Sequence, residues 1–221
     1  MSTKPRIVLL HGTPVAMEPI QRSFATRFPE AETVDLLDAS LSIDRAKDHD
    51  LTPRMFERFM ELGTYAEKIG ADGILVTCSA FGPAIERMGQ ELAMPVLKPN
   101  EAMFRAAVGK GKRIGMLATF APSVLTMTEE FDEFVRESGS GAQLRTIVVE
   151  GAMDALRKGD ADTHNRLVAA RAGELADCDA IMLAHFSTSR ALEKTKAAVD
   201  VAILTAPDAA ADQMREMLVT G

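Results

Sequence analysis

Cys78 and His185 are the residues of this chain best suited to moving a proton, and they stand at matching places in a sequence that repeats itself. Asp72-Gly-Ile-Leu-Val-Thr-Cys78-Ser-Ala-Phe-Gly-Pro-Ala-Ile-Glu86 aligns without gaps on Asp179-Ala-Ile-Met-Leu-Ala-His185-Phe-Ser-Thr-Ser-Arg-Ala-Leu-Glu193, 107 residues later. A thiol of ordinary pKa about 8.5 and an imidazole of about 6.5 can each act as acid or base near neutrality. A thiol poised beside a bound carboxylate is equipped to move a proton at the adjacent carbon, and His185 can serve as the second acid/base. That chemistry needs no metal or organic cofactor, but it does need oriented donors to stabilise the enediolate-like charge.

The same offset carries Pro5–Gly12 onto Lys112–Thr119 and Val96–Ala102 onto Ile203–Ala209. Solenoid repeats run about 20–50 residues, so this period fits two folded halves of one architecture. Short apolar runs predict strands at Arg6–Leu10, Thr33–Leu37, Gly73–Val76 and Pro95–Leu97. A second set follows at Arg113–Leu117, Arg145–Val149, Ala180–Leu183 and Val201–Leu204. All read as strands buried on both faces. Helical spacing of apolar residues predicts helices over Pro53–Ile69, Val124–Val135 and about Pro207–Leu218. The fold class is therefore α/β, two pseudo-symmetric doubly wound units, each with a mainly parallel four-stranded sheet. The first unit spans 1–103, with 207–221 packing back on it, and the second spans 104–206. A hinge is expected near Asn100–Lys110, where Gly109-Lys-Gly-Lys breaks the pattern.

Ligands of open α/β sheets sit outside the carboxyl ends of the strands. That rule selects His11-Gly-Thr-Pro14, Thr77-Cys78-Ser79, Ala118-Thr119 and Ala184-His185-Phe-Ser187-Thr188. Halves facing each other about a pseudo-twofold would bring Cys78 and His185 to one cleft. Cys78, just before a helix, gains thiolate stabilisation from backbone N–H groups and the helix dipole. Thr77, Ser79, Thr119, Ser187 and Thr188 are the expected carboxylate or oxyanion contacts, with His11 lining the site.

Structural readings compete with these. A strand-end cysteine is often only a small buried hydrophobe, His185 can be a hydrogen-bonded core histidine, and His11 can simply cap a turn. Cys178 reads as structural. His49 and His164 lie in charged, surface-like stretches and read as inert, and the charged run Asp44–Asp50 reads as a solvated loop. No HExxH or CxxC spacing supports a transition metal, and no Walker loop, dinucleotide fingerprint or GxSxG elbow is present.

The 221 residues carry a net charge of −7, with 47% hydrophobic and 26% charged side chains. That balance argues against nucleic acid, which needs a positive footprint. No apolar run approaches the roughly 20 residues of a membrane span. The N-terminal stretch is too short an apolar run for a secretory signal. Two cysteines make no disulfide framework, so a reduced cytoplasmic protein is expected. The expected partner is a small carboxylate or cyclic amide, and a homo-oligomer stays open.

At Thr77-Cys78-Ser79, at Ile181–Ser189 and at Gly115-Met-Leu-Ala-Thr119, the chain resembles the aspartate/glutamate/hydantoin racemase superfamily. The resemblance covers essentially the full length. It implies a cofactor-independent racemase or isomerase of a small carboxylate or hydantoin-type substrate, with Cys78 as principal acid/base. Members commonly use two cysteines, and here His185 occupies the second place. A malonate-type decarboxylase with one catalytic cysteine, or a relative that binds without turnover, is the alternative implied.

Overall fold

The computed structural model describes residues 4–48 and 50–219. Its eight strands are β1 (Arg6–His11), β2 (Glu32–Leu37), β3 (Gly73–Val76), β4 (Val96–Leu97), β5 (Arg113–Ala118), β6 (Gln143–Val148), β7 (Ala180–Leu183) and β8 (Ala202–Thr205). The first helices are α1 (Met17–Arg27), α2 (Ser40–Arg45), α3 (Pro53–Lys68), α4 (Gly82–Glu91) and α5 (Glu101–Val108). The remainder are α6 (Val124–Ser138), α7 (Ala152–Arg157), α8 (Ala161–Arg171), α9 (His185–Thr188), α10 (Leu192–Lys196) and α11 (Ala206–Val219).

Two four-stranded sheets form, in the orders β2-β1-β3-β4 and β6-β5-β7-β8, and every pairing is parallel. This is the α/β class with the same topology used twice. One compact unit holds residues 4–102 with 210–219, and the other holds 103–209.

Within the first unit β1 and β3 are interior strands. Ile7 to Leu10 and Ile74 to Val76 are shut off from solvent, as near-continuous apolar runs require. Phe59 and Phe81 meet over this sheet, 4.8 Å between ring centroids, among Met55, Ile85 and Met88. On the sheet's other side α11 brings Met214 against Gly73. A Cβ there would lie 2.7 Å from the Met214 sulfur, so only glycine permits this approach. In the second unit Leu117, Ile181 and Leu183 pack with Val168, Leu175 and Val149.

One expectation needs correction. The outer strands β2 and β6 are not buried on both faces: half or more of β2 is exposed, because an edge strand has one neighbour and partial helix cover. The stretch expected to hold the hinge, Asn100–Lys110, contains helix α5, where Ala102, Met103, Phe104 and Ala107 bury an apolar stripe at helical spacing, and the boundary between the two compact units falls within it, between Ala102 and Met103. Among the described residues no helix is long and apolar enough to cross a membrane.

Candidate active site

Cys78 lies two residues beyond β3, on an interior strand's carboxyl end, and is half-buried. Its backbone is extended and leads into a 3-10 turn, Ser79–Phe81, and α4 starts only at Gly82. The helix terminus is thus one turn further from the sulfur than expected, which weakens its contribution because that field fades within a turn. Pro83 accounts for the delay, being suited to the first turn of a helix and to nothing deeper.

The wall beside the thiol comes from the end of β1. A Cβ on Gly12 would sit 3.7 Å from the Cys78 Cβ, 3.8 Å from its Sγ and 3.0 Å from Ser42 Oγ. A side chain at Gly12 would therefore touch the sulfur and press on Ser42. Ser42 Oγ donates to the Gly12 carbonyl at 2.6 Å, and Arg45 Nε donates to the Ala80 carbonyl at 3.2 Å. Arg58, from α3, grips the same segment through Asp44 at 2.7 Å, Asp38 at 2.6 Å and Ser40 at 2.6 Å. The start of the charged run expected as a solvated loop is therefore helix α2, fastened beside Cys78 through its own polar groups.

His11, expected to line the site, is wholly buried. Its Nδ1 lies 2.9 Å from Thr77 Oγ1 and its Nε2 lies 2.9 Å from Asp35 Oδ1. Burial lowers its pKa from the ordinary value, against the opposing pull of Asp35. Gln21 donates to the other Asp35 oxygen. Thr77 is buried too, with its hydroxyl committed to His11 and close to the Leu10 carbonyl. Neither residue offers an unused polar atom at the surface, whereas Ser79 is half-buried like Cys78.

In the second unit His185 lies two residues beyond β7, the position Cys78 holds beyond β3. Its φ of 67° makes it the one non-glycine residue in the left-handed region among those described. Such a conformation costs of order 1–3 kcal/mol and persists only where surroundings enforce it. The ring is half-buried and its Nδ1 is enclosed with no hydrogen-bond partner. Burial pushes the imidazole below its ordinary pKa and so favours the neutral ring, partly opposed by a backbone interaction at Ala184. Thr119 and Thr188, expected as substrate contacts, are buried and bonded to each other at 3.2 Å. Ser187 is half-buried.

The expected residues thus separate into a half-buried set, Cys78, Ser79, His185 and Ser187, and a buried set, His11, Thr77, Thr119 and Thr188. Members of the second set would have to give up internal hydrogen bonds to touch a substrate. The sequence reading missed Asp35, Ser42 and Gly12. A lone carboxylate in the apolar run Thr33-Val-Asp35-Leu-Leu37 was the available signal for the first.

Both cysteines are thiols. Cys178 sits at the amino end of β7, near Arg145 and Asp177, where burial raises its pKa and Arg145 opposes the rise. His164 is not at the surface. It is wholly buried on α8, with Nδ1 against Asn165 at 2.8 Å and Nε2 unpartnered. His49 lies outside the described residues. Among the described residues no three His, Cys, Asp or Glu side chains converge as a metal site requires.

The sequence profile described as Asp/Glu/Hydantoin racemase matches residues 10–130, more than half of the chain and inclusive of Cys78. No curated protein matches the chain in sequence. Among solved structures, allantoin racemase from Klebsiella pneumoniae shares the fold with a TM-score of 0.73 at 15% identity, covering 98% of this chain and 89% of that one. A glutamate racemase from Bacillus anthracis aligns with a TM-score of 0.69 at 15% identity, over 98% and 82% of the two chains. Picrophilus torridus aspartate racemase gives 0.67 at 14% identity, over 96% and 94%.

Proposed function

Because this chain belongs to the Asp/Glu/hydantoin racemase family, a family of isomerases, we propose that it is a cofactor-independent racemase or isomerase of a small carboxylate or hydantoin-type cyclic amide. Cys78 and His185 are the proton-transfer groups of this reading. The observation that carries it is their equivalent placement, each two residues past the third strand of its own sheet. His185 is also held there in the left-handed region, which few non-glycine residues adopt.

In one direction the neutral His185 imidazole takes the proton from carbon while the Cys78 thiol delivers its proton to the opposite face. One C–H bond breaks, another forms, and imidazolium plus thiolate remain. That charged pair is the form that runs the reverse direction, and proton exchange with water restores the first form. Backbone N–H groups of the Ser79–Phe81 turn, with Ser79 and Ser187, supply the oriented donors for the developing enediolate charge.

Proton NMR in heavy water, with aspartate, glutamate and hydantoins, tests the reading. Two-base racemisation places deuterium in the product enantiomer first, and Cys78→Ala should lower that exchange about 100- to 10,000-fold, the usual worth of a general acid or base. Undiminished turnover by a folded Cys78→Ala protein would sink the proposal. One observation favours a second reading: Cys178 lies at the amino end of its strand, which leaves Cys78 alone among thiols at a carboxyl end. A malonate-type decarboxylase needs only one such donor, to protonate the carbanion left by carbon dioxide. Deuterated monoacid from an aryl-malonate, without interconversion of enantiomers, identifies it.

A further inference from the structure

We infer that His11, anchored by Asp35, is a positioning residue that holds Cys78 in place by fixing the hydroxyl of Thr77. The inference rests on the reading of Cys78 as the proton-transfer thiol. The tautomer follows from the partners. Asp35 Oδ1, 2.9 Å from Nε2, can only accept, so a neutral His11 carries its proton on Nε2. Nδ1 is then an acceptor, and the Thr77 hydroxyl 2.9 Å away must donate to it. The contact of that hydroxyl with the Leu10 carbonyl, at 3.3 Å, is secondary. Thr77 N–H donates to the same carbonyl at 2.9 Å, so backbone and side chain of Thr77 are both tied to the end of β1. The next residues continue the contact, with Gly12 against Cys78.

The second unit provides an internal control for whether the fold itself needs these polar groups. His11 ends β1 and Thr77 follows β3, and the corresponding residues of the second sheet are Ala118 and Ala184. Both alanines are fully buried. Asp35 pairs with Leu9 on the edge strand, and at the matching register Met116 pairs with Thr146. The same topology therefore closes with alanines in place of the histidine and the threonine. A buried histidine bonded to a carboxylate is a costly way to fill space unless its geometry is used. In the first unit it is bonded to Thr77, the residue that immediately precedes the thiol.

The test grafts the second unit's residues onto the first as His11→Ala/Thr77→Ala, beside Thr77→Val and Thr77→Ser. The double variant should melt cooperatively yet lose about 100-fold in kcat, the scale of a displacement near 1 Å. KM should stay within about threefold, because substrate contacts are not removed. Labelling of Cys78 by iodoacetamide, followed by peptide mass spectrometry, should slow about tenfold. Thr77→Val should behave like the double variant, and Thr77→Ser should restore wild-type values. Wild-type kcat and labelling in Thr77→Val overturn the inference, whether or not the double variant folds. Retained turnover in Cys78→Ala instead refutes the catalytic reading, and the labelling comparison then still decides whether His11 positions the thiol.

Discussion

At the scale of single residues, His185 joins an unusual backbone to an unusual side-chain environment. Its positive φ and enclosed, unpartnered Nδ1 both cost free energy, and neither helps the fold. His185→Asn separates the two costs, since asparagine tolerates the left-handed region but cannot relay a proton near pH 7. The expected outcome is a melting temperature at or above wild type with exchange reduced at least about 100-fold. Equal exchange in the Asn variant would return His185 to a structural role. His185→Cys puts a thiol at both matching strand ends, and the reading expects racemisation to persist or rise. The positions of Cys78 and His185 were legible because strand ends and a gapless repeat locate them. The burial of His11, Thr77, Thr119 and Thr188 was not. Which hydroxyl faces inward at a strand end depends on partners such as Asp35, which sits 24 residues from His11.

At the scale of elements, α2 is the one whose role the sequence concealed. Its composition is that of a solvated surface, and Ile43 is indeed exposed. Besides Leu41, which is buried in the core, what holds it is a set of polar bonds to residues distant in sequence, from Ser42 to Gly12, Arg45 to Ala80 and Asp44 to Arg58. Pattern reading detects apolar stripes and has no view of such bonds. Arg58→Met keeps the aliphatic stem and removes the grip. It should cost about 1.5–3 kcal/mol in urea unfolding, the range for hydrogen bonds to charged groups, and raise KM by loosening the wall beside Cys78. Unchanged stability and kinetics would show that Ser42 and Arg45 hold α2 without it. Strands β3 and β7 were legible to the residue, being uniformly apolar between charges and turns. Helix α5 was not, because the glycines that follow it mimic a linker.

For the whole molecule, burial lowers the pKa of all three histidines within the described residues, His11, His164 and His185. Asp35 opposes the shift at His11, Asn165 at His164 and the Ala184 backbone at His185. A folded pKa below the unfolded value means the unfolded chain binds more protons, so stability rises with pH through that window. Stability is therefore full above about pH 6.5, the unfolded value, and declines as pH falls toward the folded values. Each histidine contributes at most about 1.4 kcal/mol per pH unit. Urea midpoints measured from pH 7.5 to 5 should fall, and His164→Leu should flatten the slope without altering exchange chemistry. A flat profile in wild type would mean that the three rings charge readily in the folded state.

The docking of Met214 on Gly73 also sets an order of events during synthesis. Residues 210–219 of helix α11 belong to the same unit as residues 4–102, yet the ribosome makes them only after the whole of 103–209. The nascent chain thus completes its second unit before its first, and β3, the strand that leads to Cys78, waits for its cover. Until α11 arrives the back of that strand is an exposed apolar surface, a natural client for chaperones and a point where stalled translation yields an aggregation-prone fragment.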